Sequence, residues 1–229
     1  MSSTRIRHRT LFVFTCMVTL SLSSAANAVP ISIFNTGVDN SGNAWGSGGV
    51  PDIHYSLFAQ PSPGGLTALT VTDTAFPIPP WLLNNAGSRW IGPGTPNQPP
   101  FDGVGPGGSY TYRTTFNLPI NAILGSASIT GDWAIDDSGT DILINGISTG
   151  QTYNSYAALT PFSITSGFVF GTNTLDFVIA NANFGANWTG LRVDHIAGNY
   201  QVIPEPTTLA FACVGLMIGG CLHRRGRHC

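Results

Sequence analysis

The chain has no lysine, and its nine cations are all arginines among 229 residues. Arg5, Arg7 and Arg9 stand near the start, and Arg224, Arg225 and Arg227 near the end. That leaves only Arg89, Arg113 and Arg192 to face ten aspartates in residues 29–202. An acidic segment with three scattered cations cannot neutralise a phosphate backbone, so nucleic acid is excluded as a partner. Glutamate is missing from the same segment, and the one in the chain is Glu205. Cysteine is missing too: Cys16, Cys213, Cys221 and Cys229 all lie outside it. Residues 29–202 therefore fold without disulfides and offer no thiol nucleophile, and one domain of this size can bury enough apolar surface to do so.

What is scarce in the middle is arranged in order at the two ends. The first three arginines precede an apolar run over residues 11–22, and Ala26-Asn27-Ala28 supplies small residues at the cleavage positions. This is the pattern of a secretory signal peptide, with Ala26 and Ala28 as its cleavage-site residues and the mature chain starting at Val29. It implies passage through the Sec translocon and cutting by signal peptidase. At the other end stands Ile203-Pro204-Glu205-Pro206, then residues 207–222 with no charge, then His223-Arg224-Arg225-Gly226-Arg227. Prolines on both sides of Glu205 exclude helix and central strand, so the tripeptide is an extended spacer. The uncharged run would make a helix roughly 24 Å long, a short transmembrane span. Arginines behind it belong on the cytoplasmic side, which puts everything before Pro204 outside.

This tail resembles the PEP-CTERM sorting signal of exported bacterial proteins. The resemblance implies that exosortase, a membrane transpeptidase-like protease, recognises Pro204, Glu205 and Pro206. It implies that the helix and the basic cluster of Arg224, Arg225 and Arg227 are then removed. The protein would sit in the inner membrane of a Gram-negative bacterium during processing, then at the cell surface or in the extracellular matrix. A plain C-terminal anchor is the alternative. The expected organisation is a signal peptide over 1–28, one domain over 29–202 and a sorting signal over 203–229.

Inside the domain no stretch shows helical periodicity, and short apolar-polar alternations are separated by Gly, Pro and Asn. Strands are expected at residues 31–34, 53–58, 66–71, 110–118, 122–135, 141–144, 162–164, 174–180 and 191–196. The clearest alternation sets Tyr110, Tyr112, Thr114, Phe116 and Leu118 against Thr111, Arg113, Thr115 and Asn117. Asn145-Gly146 marks a tight hairpin. Residues 76–81 are too rich in proline for a central strand and read as a loop packed by its aromatics. Many short strands with such turns predict an all-β fold, an antiparallel β-sandwich. The run from Tyr112 through Gly131-Asp132-Trp133, Asp141-Ile142-Leu143-Ile144-Asn145-Gly146 and Gly171-Thr172-Asn173-Thr174-Leu175 is similar to the galactose-binding-like jelly roll. That resemblance covers residues 110–193 and implies a jelly-roll sandwich. The whole chain also looks like a group of PEP-CTERM proteins built on this sandwich, whose molecular activity is mostly unassigned.

Chemistry has few candidates. The one Gly-x-Ser-x-Gly match, Gly146-Ile147-Ser148-Thr149-Gly150, falls on the Asn145-Gly146 hairpin and not at a strand-to-helix elbow, and His54 and His195 stand apart from each other in separate strands. The aspartates gather between Asp132 and Asp141, where capping of turn amides is one explanation. Another is calcium, since Asp136, Asp137 and Asp141 around Ser138-Gly139 are hard oxygen donors, although no glutamate closes the loop as in an EF-hand. Residues 181–188 carry Asn183, Asn187 and Trp188, with Arg192 following. Amides, an aromatic face and a guanidinium are what a sugar requires, so these four are the candidate ligand-binding residues. The competing reading makes Trp188 a core plug and the asparagines turn caps. The expected role is therefore a non-catalytic module associated with extracellular polysaccharide. The alternative is a structural surface protein without a specific ligand, and a secreted hydrolase is a distant third.

Overall fold

The structure, a computed structural model, describes residues 28–203 apart from Ser47, Asn183 and Phe184. Thirteen strands run in order through the described residues: β1 (Ala28–Pro30), β2 (Ser56–Ala59), β3 (Thr67–Thr70), β4 (Ile91–Gly94), β5 (Val104–Gly105), β6 (Gly108–Leu118) and β7 (Ala122–Asp136). They continue as β8 (Ser138–Ile144), β9 (Ile147–Ser148), β10 (Thr160–Ile164), β11 (Gly171–Asn181), β12 (Asn187–Trp188) and β13 (Gly190–Val202). All pairings are antiparallel. One sheet has the order β10-β7-β13-β4-β3, with β1 also paired to β13; the other has β2-β6-β11-β8-β9; β12 and β5 make a small ribbon. Successive long strands change sheet, β6 to β7 to β8 and β10 to β11 to β13, which is the jelly-roll arrangement.

Period-two alternation decides which side chains meet between the sheets. Tyr110, Tyr112, Phe116 and Leu118 of β6 point inward, as do Leu175, Phe177 and Ile179 of β11, and all are buried. Ile129, Trp133 and Ile135 of β7 and Leu191 and Val193 of β13 face them from the other sheet. Phe177 sits at the centre, in ring contact with Tyr55, Trp133 and Phe162. Asn145 and Gly146 both have positive φ and close the two-residue turn between Ile144 and Ile147, as this residue pair favours.

Several expected boundaries shift. The first strand is Ala28–Pro30 and not 31–34, because β1 pairs with the far end of β13. Residues 53–58 yield only β2, since Asp52 spends its carboxylate on the amides of Gly37, His54 and Tyr55 and shapes a turn there. The last strand reaches Val202, past a bulge between Asp194 and Ala197 where His195 takes a φ of 50°. Of the aromatics in residues 76–81, Phe76 stays exposed, whereas Trp81 packs on the outer face of the first sheet. There Ile78, Trp81 and Trp90 form a second buried cluster over Ala134, with the two indoles 4.5 Å apart. Gly190 is required at this contact, because a Cβ there would lie 2.9 Å from the Trp81 ring. The free edge at β10 is blunted by Gln151, whose side chain accepts from Ser163 N and donates to Ser163 O.

Candidate functional site

One end of the sandwich gathers the conspicuous polar groups. β7 ends at Asp136 and β8 begins at Ser138, so Asp136 and Asp137 occupy the tight passage from one sheet to the other. Asp136 is buried and accepts a hydrogen bond from Trp81 Nε1 at 2.8 Å, while its carbonyl accepts from Thr189 Oγ1 at 2.7 Å. Burial pushes the Asp136 carboxyl up to about 7, and the hydrogen bond and negative charge of Asp137 add to the rise against the opposing Trp81 donor. Asp137 Oδ2 accepts from the Ala182 amide at 2.6 Å and from Asn187 Nδ2 at 3.2 Å. Asn187 Nδ2 also lies 3.2 Å from Asn181 Oδ1, and Asn181 in turn donates to the carbonyls of Gly105 and Pro106. The result is a floor of carboxylates and amides whose orientations are held by backbone.

Trp188 follows Asn187 in β12. It is 36% exposed and meets Phe76 edge-to-face, with ring centroids 4.6 Å apart; Phe76 is itself 54% exposed. Its backbone is fixed by the β12–β5 ribbon, where Trp188 pairs with Val104. Trp188 is thus neither a core plug nor a free rotor, because an aromatic neighbour and a strand pairing orient it at the surface.

Arg192 is elsewhere. Only 1% of its side chain is exposed, and it lies under the 82–90 segment, where its guanidinium donates to Leu83 O, Ser88 Oγ and Asp194 Oδ2. Burial pulls the Arg192 pKa down and the Asp194 charge opposes this. Burial pushes the Asp194 carboxyl up, but donors from Asn85, the His195 amide and Ser88, with the charge of His195, hold it below the usual carboxylate range. Arg192 is therefore a structural cation beneath the second cluster and not a partner of Trp188. The outward position on β13 that sequence alternation assigns it is covered by the loop above.

The acidic candidates also separate. Asp136 and Asp137 are adjacent, whereas Asp141 lies on β8 and accepts from the amides of Ile142 and Gly150 across the β8–β9 hairpin. One oxygen of each carboxylate accepts from an N–H donor, and among the described residues no three acidic or histidine side chains converge on a metal position. This donor set does not fit a calcium cage. Asn183 lies outside the described residues, as do Ala26, Pro204, Glu205, Pro206, Arg224, Arg225 and Arg227. Ala28 is the first residue of β1 and pairs with Gln201.

Two features escaped the sequence reading. Phe76 is far from Trp188 along the chain, and only the folded 72–90 segment brings them together. His195, read as a lone strand histidine, places Nδ1 2.9 Å from Asp132 Oδ2 at the mouth of an open cleft of about 590 Å³ that Gln151, Pro161 and Ser163 also line. The signal for that pair was weak: Asp132 and His195 are 63 residues apart and meet through the β7–β13 register.

The fold and this end define a class, an antiparallel jelly-roll sandwich with an exposed aromatic pair and a hydrogen-bonded carboxylate–amide floor. No protein-family model matches the chain, and none of the curated proteins does. The chain is similar to the crystal structure of the CBM36-1 domain of a multidomain xylanase from the hindgut metagenome of Trinervitermes trinervoides. That similarity spans 52% of this chain and 89% of the other, at 14% identity and a TM-score of 0.29.

Proposed function

We propose that this is an exported surface protein whose sandwich is a non-catalytic module for extracellular polysaccharide, sorted and trimmed through its C-terminal tail. The observation that carries the glycan reading is the exposed Phe76–Trp188 pair, whose Trp188 directly follows in sequence the Asn187 of the fixed Asp137–Asn187–Asn181 array. An apolar ring face offers a surface to the C–H face of a sugar, and oriented amide and carboxylate groups exchange hydrogen bonds with its hydroxyls. Net negative charge favours a neutral or cation-bridged polymer over a polyanion. The tail supports export: Pro204, Glu205 and Pro206 would be the exosortase recognition site, reached after the Sec translocon and signal peptidase have acted at the N-terminus. The mature protein then belongs to the cell surface or the matrix around it.

The test is calorimetric titration of residues 29–202 with the exopolysaccharide of the producing organism. Trp188→Ala should weaken binding about tenfold, equivalent to about 1.4 kcal/mol, with the thermal transition unchanged. Undiminished binding by a folded Trp188→Ala protein would remove the basis of the reading.

A further inference from the structure

The end of the sandwich opposite Trp188 has the reverse character. β7 runs from Ala122 at one end to Asp136 at the other, which at about 3.4 Å per residue separates the two ends by roughly 45 Å. β11 and β13 give the same polarity: Gly171 pairs with Leu118 and Val202 with Ala122 at the near end, while Asn181 pairs with Gly108 and Gly190 with Asp136 at the far end. The segments that build the near end are residues 28–34, 118–130, 143–150, 161–175 and 196–203. None of them contains an Asp, Glu, Lys or Arg, so every charge of the described sandwich lies elsewhere. Large apolar side chains nevertheless point outward here: Ile120 is 79% exposed and Phe170 47%, with Ile123, Ile147, Val169 and Ile203 exposed around the same end.

Both chain ends meet this surface. Ala28 pairs with Gln201, and the Ile203 amide donates to Asn121 O in the turn that carries Ile120. The sequence beyond Ile203 is the Pro-Glu-Pro tripeptide and the uncharged run over residues 207–222. We infer that this uncharged end rests on the lipid bilayer while the tail is attached, with Ile120, Phe170 and their neighbours in the interface. It thereby holds Ile203, the last described residue, at headgroup level and Trp188 outward. The inference rests on the reading of the tail as a membrane segment. Docking buries side chains that are otherwise exposed, and the segments it covers carry no charge of their own. A flexible tether would leave the domain tumbling and Ile203 at no defined depth. A seated end fixes both.

Bromolipid quenching tests this on residues 29–229, which keep the tail and lack the N-terminal apolar run, in vesicles of phosphatidylethanolamine and phosphatidylglycerol with brominated acyl chains. Ile120→Trp and Phe170→Trp each add an indole to an end that has none, and the native tryptophans, Trp188 among them, are the internal reference. Flotation with the vesicles reports the tail, and the emission added by each variant reports the sandwich end. The expected result is flotation of all proteins, with the added emission blue-shifted and strongly quenched and the native emission barely changed. Flotation with unquenched added emission would overturn the seated end while leaving the tail reading intact, whether or not the protein self-associates through this face. Failure to float would overturn both. Should Phe170→Trp not fold, Ile147→Trp, at another exposed position of the same end, serves in its place with the same two outcomes.

Discussion

Replacing Asp136 with asparagine should abolish a pH dependence of folding that originates in one carboxyl group. In the folded chain Asp136 is enclosed beside Trp81 and shares a hydrogen bond with Asp137, and its pKa stands at about 7 against an ordinary value of 3.8. A carboxyl raised in this way keeps its proton in the folded state over a range where the unfolded chain has lost it. The stabilisation is complete below about pH 4 and disappears as pH rises through about 7. Full conversion of that rise gives a ceiling of about 4 kcal/mol. Solvent reaches the carboxyl pair from the side of the half-buried Asp137, so screening reduces the expected loss to on the order of 2 kcal/mol. In the Asp136→Asn protein the new amide would still accept from Trp81 Nε1 and could donate to Asp137, so the substitution removes the titration and keeps the contacts. The assay is the urea midpoint of residues 29–202 for both proteins from pH 4.5 to 8. The two curves should lie closest at the acid end and separate progressively up to about pH 7, with the substituted protein the more stable above that. Parallel curves would show that Asp136 ionises freely in the folded chain and that its enclosure by Trp81 and Asp137 is wrong.

Arg192→Met should cost about 3–5 kcal/mol in chemical denaturation, because it strands the buried Asp194 carboxylate without its cation; a loss below about 1 kcal/mol would contradict that role. Gly139→Ala would place a Cβ 2.3 Å from the Trp133 ring in the central core. It should lower stability by about 1–3 kcal/mol, while Gly125→Ala, with open space around it, should change little, and equal melting temperatures for the two would refute the close approach of Gly139 to Trp133. Glu205→Ala should leave the full-length chain unprocessed in the membrane fraction, and normal trimming and release would remove the sorting assignment.

Much of this protein was written locally. Alternation in residues 110–118 placed four large side chains of β6 inward, since period two follows from the pleat alone. Asn145-Gly146 closed its hairpin because both residues tolerate positive φ. Trp81 in residues 76–81 announced a packed loop, while Phe76 of the same loop stayed exposed. The division of charge was also a matter of sequence, since the uncharged near end consists of five stretches that each lack an ionisable cation or carboxylate. Tertiary structure decided whatever depends on two distant segments meeting. Arg192 alternates as an outward residue of β13, but residues 82–90 fold over it and convert a surface cation into a buried one. Asp136, Asp137 and Asp141 are near neighbours in sequence, yet the passage between sheets turns Asp141 toward the β8–β9 hairpin and away from the other two. Trp188 gains a fixed orientation only from Phe76 and the β12–β5 pairing, and His195 finds Asp132 only through the β7–β13 register. A propensity describes one segment and its own backbone. Burial, pKa and partnership belong to pairs of segments, and those are set only when the two sheets close.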